Sequence, residues 1–367
     1  MRRTYPIILG GGPAGAAAAI ALARRGGEPL LLEKQIETSD ALCGGFLSWA
    51  TLRQIAALGI TPAQLGGQYL THLTLHTARR AHSIPLPAPA MGVSRHRLDG
   101  LLLKRAEQCG AIVRRGCMVK SIAGDHLMIG EAEQIAWTSL FLASGKQDVR
   151  GGARDIPCAH DPELGLRMRL PASAKAQALL AGQIELHLFD RGYLGLVLQE
   201  DGTINACMAV RKSRLNDAGG RPATLFTQIA DASPALADRL GDLSPDHKID
   251  AIGHVPYGWR ALGTWPGLYR LGDQAAVIPS LAGEGIGIAL ASAARAAQFW
   301  RDHGPAGAIL FQRSFAHAAA HPLYIAGLAK ALGTRSAGGA ALMLTLAQLP
   351  GAASLVARLT RIARDGG

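Results

Sequence analysis

The sequence predicts an α/β chain, α+β overall, and three observations carry that prediction. The chain enters an unbroken apolar strand, Ile7-Ile8-Leu9, that runs into a glycine-rich turn and an alanine-rich helix. Much later, Leu268 to Ala276 again reads as a buried strand ending in a glycine turn ahead of a long helix. Between them, from about Gly151, the strand–helix alternation stops. Ile184–Leu188, Gly192–Gln199 and Asn205–Val210 then read as consecutive antiparallel strands, with Glu200-Asp201-Gly202 as a turn.

A strand with no polar alternation suits a parallel sheet covered on both faces. Gly10, Gly12 and Gly15 hold the G-x-G-x-x-G spacing: tight turn, close backbone approach to a pyrophosphate, close helix–strand packing. Pro13 and Ala14 open the helix, whose N-terminus aims unpaired N–H groups at the phosphates. Gly26-Gly27 ends it, and Pro29–Leu32 forms the second strand of a Rossmann-like unit. Glu33, with Lys34 after it, stands about 20 residues beyond the first glycine, where a carboxylate accepts the hydrogen bonds of a ribose diol. Together these features predict a dinucleotide site.

Cys43-Gly44-Gly45 then leads into a helix from Trp49 to Leu58, and Tyr69–Leu86 alternates enough for a hairpin around Arg79-Arg80. Arg95 opens a helix that ends near Gly110. Ala111–Val113, Cys117–Val119 and Ser139–Ala143 are short strands, the last running into Ser144-Gly145. Pro222–Leu240 is helical and Ile249–His254 returns as a strand. After Gly272-Asp273, Pro279 and Gly285-Ile286 precede a helix over Ile288–Arg301. Asp273 suits a ribityl hydroxyl, and a glycine-flanked helix start stabilises negative charge on a reduced ring.

With 367 residues the chain is too long for one simple core, and two lobes are expected. The formal charge of +11 comes from scattered arginines rather than a lysine-rich or aromatic-interleaved run, which argues against nucleic acid and for anionic ligands. Five cysteines without C-x-x-C spacing predict no metal site and no disulfide framework, and suit a reducing, cytoplasmic compartment. Ser336–Ala357 carries no charge, but its glycines and Pro350-Gly351 favour two packed helices over a membrane span. The tail Leu355–Arg364 spaces arginines three apart among aliphatics. It is a candidate basic amphipathic helix for peripheral membrane contact, against the simpler reading of a solvated final helix.

Taken together, the N-terminal glycine motif with Glu33, Arg95-x-x-Leu98-Asp99, and Gly272-Asp273 with Pro279 and Gly285-Ile286 resemble FAD proteins of the para-hydroxybenzoate hydroxylase and geranylgeranyl reductase superfamily. Cys43-Gly44-Gly45 and Tyr193-x-Gly195 resemble the reductase branch. Ala143–Gly151 and Tyr269–Ala276 look closer to bacterial oxidoreductases often encoded beside type III polyketide synthases.

The resemblance implies a GR2-type FAD-binding domain in three parts (1–68, 93–160 and 256–303). An antiparallel-sheet substrate lobe follows (161–255, with a hairpin at 69–92), and then a helical C-terminal region (304–367). Gly10, Gly12, Gly15 and Glu33 would hold the ADP half, Arg95 the phosphates, Val119 the adenine, and Asp273 the ribityl-pyrophosphate region. Gly285 and Ile286 would lie at the pyrimidine edge and Cys43, Gly44 and Gly45 near the isoalloxazine.

The expected activity is a monooxygenase hydroxylating an aromatic or polyketide-type substrate. The alternatives are a reductase saturating C=C bonds of an isoprenoid or lipid, and a peripheral membrane or partner-binding flavoprotein. The Asp-Gly pair of the hydroxylases is replaced by Ser144-Gly145, so the electron donor is NAD(P)H or a separate reductase protein. The tryptophan signature of flavin halogenases is absent. Cys43, Tyr193, His254 and Tyr257 are the candidate acid–base residues, placed where the sheet lobe rejoins the cofactor domain.

Overall fold

The computed structural model describes residues 5–77, 80–244, 246–334, 337–349 and 351–362. Strand β1 (Ile7–Leu9), helix α1 (Pro13–Ala23) and strand β2 (Leu30–Leu32) form the opening unit, with β1 and β2 parallel and in register from Ile7↔Leu30. All eleven residues of α1 are buried. Being apolar all round, it has no wet face to present. After β3 (Phe46–Leu47), helices α2 (Trp49–Ala57) and α3 (Pro62–Leu65) precede the long strands β4 (Gln68–His76) and β5 (Ala81–Gly92). The hairpin predicted around Arg79-Arg80 is present as β4 and β5, although Ala78 and Arg79 lie outside the described residues.

Helix α4 (Arg95–Gln108) starts at Ser94, whose hydroxyl accepts the Arg97 N–H, and leads to β6 (Ile112–Arg114). Strands β7 (Val119–Ala123), β8 (His126–Ile129) and β9 (Glu133–Ala136) form a small antiparallel sheet. The strand predicted at Cys117–Val119 therefore begins only at Val119. The Cys117 N–H is instead used by the Glu33 carbonyl. Strand β10 (Leu140–Leu142) is fully buried.

The lobe contains β11 (Glu163–Pro171), α5 (Ala174–Leu180), β12 (Gln183–Phe189), β13 (Gly192–Leu198), β14 (Thr203–Arg211) and α6 (Lys212–Asp217). The helix predicted over 222–240 is two, α7 (Pro222–Asp231) and α8 (Pro234–Leu240), because Ser233 caps α8 by accepting the Leu236 N–H and Pro234 restarts the chain. Strands β15 (Ile249–Ile252) and β16 (Leu268–Arg270) return to the two sheets. The C-terminal region is α9 (Gly285–His303), α10 (Gly307–Thr334), α11 (Ala337–Ala347) and α12 (Ala352–Leu359).

Two large sheets result. The nucleotide sheet is parallel, in the order β16-β10-β1-β2-β6, and the lobe sheet runs β15-β11-β14-β13-β12-β4-β5-β3. The lobe is not wholly antiparallel as predicted: β12 and β4 pair in parallel, Gln183↔His72 to His187↔His76. Such a pair needs a long crossover, here the entire chain between them. The main core packs α1, α4 and α9 on the nucleotide sheet, with the stacked rings of Phe141 and Tyr269 4.7 Å apart at its centre. A second core closes α5, α7 and α8 over one face of the lobe sheet. Among the described residues no helix is long and apolar enough to cross a membrane; the uncharged 336–357 stretch holds α11 and most of α12, and Gly351 between them adopts φ +77°.

Candidate active site

One cavity runs from the nucleotide sheet into the lobe. At the sheet end, Gly12, Pro13 and Ala14 line it at the start of α1, whose N-cap Gly12 offers no side-chain cap. At the other end, Gly285 and Ile286 line it at the start of α9, whose N-cap Glu284 likewise gives no capping hydrogen bond. Two helices thus point orphaned N–H groups and positive dipole ends into one space, an arrangement that suits anionic and electron-accepting groups.

The glycines are there for contact reasons. A Cβ on Gly15 would sit 1.9 Å from the Gly10 carbonyl oxygen, and one on Gly10 2.5 Å from that of Ala143. Gly10 also has φ +105°. Neither glycine lines the cavity; they let α1 and β10 close around the turn that does. Arg95 lies against this turn, Nη2 being 3.2 Å from where a Gly12 Cβ would stand. Its Nε and Nη2 donate to Asp99 at 2.8 and 2.6 Å, a fork that fixes the guanidinium toward the cavity. Burial pushes the Asp99 carboxyl up, opposed by that same guanidinium.

Gly272 and Asp273 line the middle of the cavity, where Asp273 meets Lys146 at 3.3 Å, and the Asp273 charge pushes the Lys146 ammonium up. Gly145 lines it as well; its carbonyl is held by Gln274 Nε2 at 2.9 Å. Cys43, Gly44 and Gly45 form the wall where the two sheets meet. The Cys43 carbonyl accepts from Asn205 Nδ2 at 3.0 Å, which ties the turn to β14. Gly45, at φ +70°, has no room for a Cβ beside Gln199 Nε2 at 2.9 Å.

Glu33, Lys34, Val119, Ser144 and Pro279 stand outside the cavity lining. The Glu33 carboxylate accepts from the Gly11 N–H at 2.6 Å and the Gln35 N–H at 2.9 Å, beside the glycine turn. Lys34 donates to Gln147 Oε1, and the Ser144 hydroxyl donates to the Gln147 carbonyl at 2.7 Å. Val119 is half-buried at the start of β7, and Pro279 is the buried N-cap of the short turn Ser280–Ala282.

Of the four acid–base candidates, three face the cavity: Cys43, Tyr193 and Tyr257. His254 does not. It is exposed, past the end of β15, with φ +52°, and the chain turns inward only at the buried Val255. Tyr193 and Tyr257 converge on a residue the sequence reading passed over, Ser280, with O···O distances of 2.5 and 2.6 Å. Burial pushes both phenols up, so they stay protonated. Lys330 lies 4.3 Å over the Tyr257 ring and pairs with Glu163. Cys207, also lining the cavity, is pushed up to about 12 by burial and is a neutral thiol. The remaining lobe wall is hydrocarbon, from Leu73, Leu86, Ile184, Leu186 and Ile252.

The tail closes one side. Arg361 lines the cavity, pairs with Glu284 at 2.8 Å and lies 3.9 Å over the Trp49 ring. This segment is therefore docked at its end rather than solvated throughout, while Leu355 and Val356 of α12 remain exposed. Ala363 and Arg364 of the predicted amphipathic tail lie outside the described residues. Elsewhere, His76, Glu185 and His187 are buried together on the lobe sheet. Glu185 is already engaged there by Arg239 at 2.7 Å and His187 at 3.0 Å.

The family profile described as "FAD binding domain" matches residues 3–129. The chain is 24% identical over 328 residues to the menaquinone reductase of Mycolicibacterium smegmatis, covering 82% of this chain and 77% of that protein. Among solved structures, the flavin-dependent brominase Bmp2 superposes with TM-score 0.80 at 16% identity, covering 97% of this chain and 93% of that one. A geranylgeranyl bacteriochlorophyll reductase-like protein from Thermoplasma acidophilum gives TM-score 0.73 at 17% identity, covering 98% and 93%. The uncapped starts of α1 and α9, the glycine contacts and Arg95 fit an FAD laid along the cavity. The first third of the chain thus matches the FAD-binding-domain profile, and the fold of nearly the whole chain is the one these flavoproteins share.

Proposed function

We propose that the chain is a reductase that saturates a C=C bond of a hydrophobic, isoprenoid- or lipid-like molecule. The observation that carries this reading is the chemistry of the lobe wall. Among the described residues lining the cavity there is no histidine and no glutamate, and Asp273 is paired with Lys146 at the cofactor end. What faces the lobe is hydrocarbon, two thiols and three hydroxyls, and burial pushes the two phenols and the Cys207 thiol up so that they stay protonated. Hydroxylation of a phenolic ring is aided by a base that draws off the phenol proton, and this wall offers none. Saturating a double bond needs a hydride at one carbon and a proton at the other.

FAD, when bound and reduced, supplies the hydride. The chain's own part is to exclude water with the Leu73–Leu186 wall, to hold the alkene, and to donate the proton. Cys43 is the candidate donor because its turn joins the cofactor cradle to the lobe. The sequence relationship to proteins named menaquinone reductase supports a reductase over the monooxygenase expected first. Reducing equivalents would come from NAD(P)H or a separate reductase protein; bleaching of the purified protein by NADH or NADPH alone distinguishes them. The exposed Leu355 and Val356 beside Arg358 also suit contact with a lipid surface that holds such a substrate. Vesicle co-sedimentation that persists after removal of residues 336–367 would refute a tail-driven contact.

The decisive experiment is single turnover of dithionite-reduced holoprotein with geranylgeraniol under strict anaerobiosis, read by mass spectrometry. Gain of two hydrogens per double bond is expected, and Cys43→Ala should slow it about 10²-fold. Oxygen uptake coupled to substrate turnover, with no anaerobic product, would sink the reductase and restore the monooxygenase.

A further inference from the structure

The three hydroxyls on the lobe wall of the cavity have an unbalanced hydrogen count. Tyr193, Ser280 and Tyr257 bring three O–H hydrogens to two O···O contacts, 2.5 and 2.6 Å, both made to Ser280 Oγ. Each contact consumes one hydrogen. Whichever way the bonds run, one hydrogen is left, and among the described residues none of the three side chains has another protein acceptor. All three line the cavity, and both phenols are held neutral. Tyr193 is buried, Tyr257 half-buried and Ser280 exposed, so the spare hydrogen stays open to an acceptor that enters the cavity.

From this surplus hydrogen, together with the hydrocarbon around it, we infer that the Tyr193–Ser280–Tyr257 cluster is a recognition site for a carbonyl oxygen of a hydrophobic ligand, such as a ketone or quinone. The inference rests on reading the lobe as the substrate site, and it adds a carbonyl oxygen to the groups that site can recognise. The surroundings hold the donors in place. Lys330, anchored on Glu163, packs over the Tyr257 ring, and Tyr193 is fixed in β13 between β12 and β14. Ser280 belongs to the turn that leads into α9, so a carbonyl docked there lies beside the cofactor end of the cavity.

The test uses a matched pair of ligands, 2-acetylnaphthalene and 2-ethylnaphthalene, with nearly the same shape and one carbonyl between them. Equilibrium dialysis against FAD-loaded protein gives both dissociation constants, with no turnover required. The variant Tyr193→Phe/Ser280→Ala/Tyr257→Phe removes all three hydroxyls, and retained FAD and melting temperature report its folding. It should weaken 2-acetylnaphthalene roughly tenfold, the worth of one hydrogen bond at the upper end of its range, and leave 2-ethylnaphthalene within about twofold. Equal effects on the two ligands, or none on either, would overturn the inference. Should the variant fail to fold, the infrared carbonyl stretch of 2-acetylnaphthalene bound to wild-type protein decides: a downshift from its value in hydrocarbon supports the site, and an unshifted band refutes it. Because both measurements read binding alone, they stand or fall apart from the reductase reaction.

Discussion

Gly285→Ala should change stability and cofactor affinity in opposite directions. Gly285 is the first residue of α9, at the cavity, and a Cβ built on it meets nothing within 4 Å. In the apoprotein an alanine there costs nothing sterically and removes backbone freedom from the unfolded chain, for a gain of up to about 1 kcal/mol. At about 2.1 cal/mol/K of unfolding entropy per residue, that is a rise of roughly 1 °C for a chain this long. With FAD bound, however, the space beyond Gly285 belongs to the cofactor edge, and the methyl holds it off the N–H groups of the first turn. Loss of one or two such hydrogen bonds, about 1–3 kcal/mol, weakens FAD by roughly 5- to 150-fold.

Gly15→Ala supplies the contrast. Its Cβ would fall 1.9 Å from the Gly10 carbonyl oxygen, so α1 must shift by about 1 Å. Overpacking of this kind costs about 1–3 kcal/mol in the apoprotein as well, and FAD binding is lost with it. Apoprotein melting by differential scanning fluorimetry and FAD titration by flavin fluorescence measure both quantities. Wild-type FAD affinity in Gly285→Ala, with the apoprotein unchanged or stabilised, would refute the placement of the cofactor at the start of α9.

Three further outcomes are expected. Arg95→Met strands Asp99 without its guanidinium, and breaking a partly buried pair of this kind costs about 3 kcal/mol or more; FAD should bind far more weakly, and affinity within twofold of wild type would remove Arg95 from the phosphate site. Acid should destabilise the lobe. Burial opposes the charge on Glu185, but hydrogen bonds from His187 and Arg239, with His76 3.5 Å away, hold its carboxyl well below the usual 4.5, while burial holds His187 below its usual 6.5. Both groups bind protons more readily in the unfolded chain, so stability is full above about pH 6.5 and falls as pH drops, steepening below about 4.5; an unchanged acid limb in the melting profile of Glu185→Gln would contradict this. Finally, Arg361→Ala removes the pair to the buried Glu284 and the contact with Trp49, so hydrogen exchange in α12 should quicken at least tenfold, and unaltered protection would mean that other contacts hold the tail.

The local chemistry of the cofactor half is written in short stretches of sequence. An apolar run, glycines at fixed spacing, an alanine helix and a glycine-flanked helix start each act within a few residues, so the FAD domain was legible from Ile7 to Glu33 and again from Leu268 to Ile286. Boundaries slipped where a neighbour decided them: Cys117 is drawn out of a strand by the Glu33 carbonyl, and Ser233 with Pro234 divides a helix. Strand β11 was missed because its arginines, Arg167 and Arg169, hide the alternation; in the fold they are held by Asp40, Asp250 and Asp201 from distant segments.

What lay beyond the sequence is whatever depends on pairs far apart in it. Nothing near Pro279 marks Ser280 as the meeting point of Tyr193, 87 residues away, and Tyr257. The parallel β4–β12 pair, the Arg361–Glu284 closure and the exclusion of His254 from the cavity are likewise settled by how the lobes close. Dinucleotide binding follows from backbone geometry that a contiguous motif encodes. The lobe's hydroxyl cluster is made by side chains that only the tertiary fold brings within hydrogen-bonding distance.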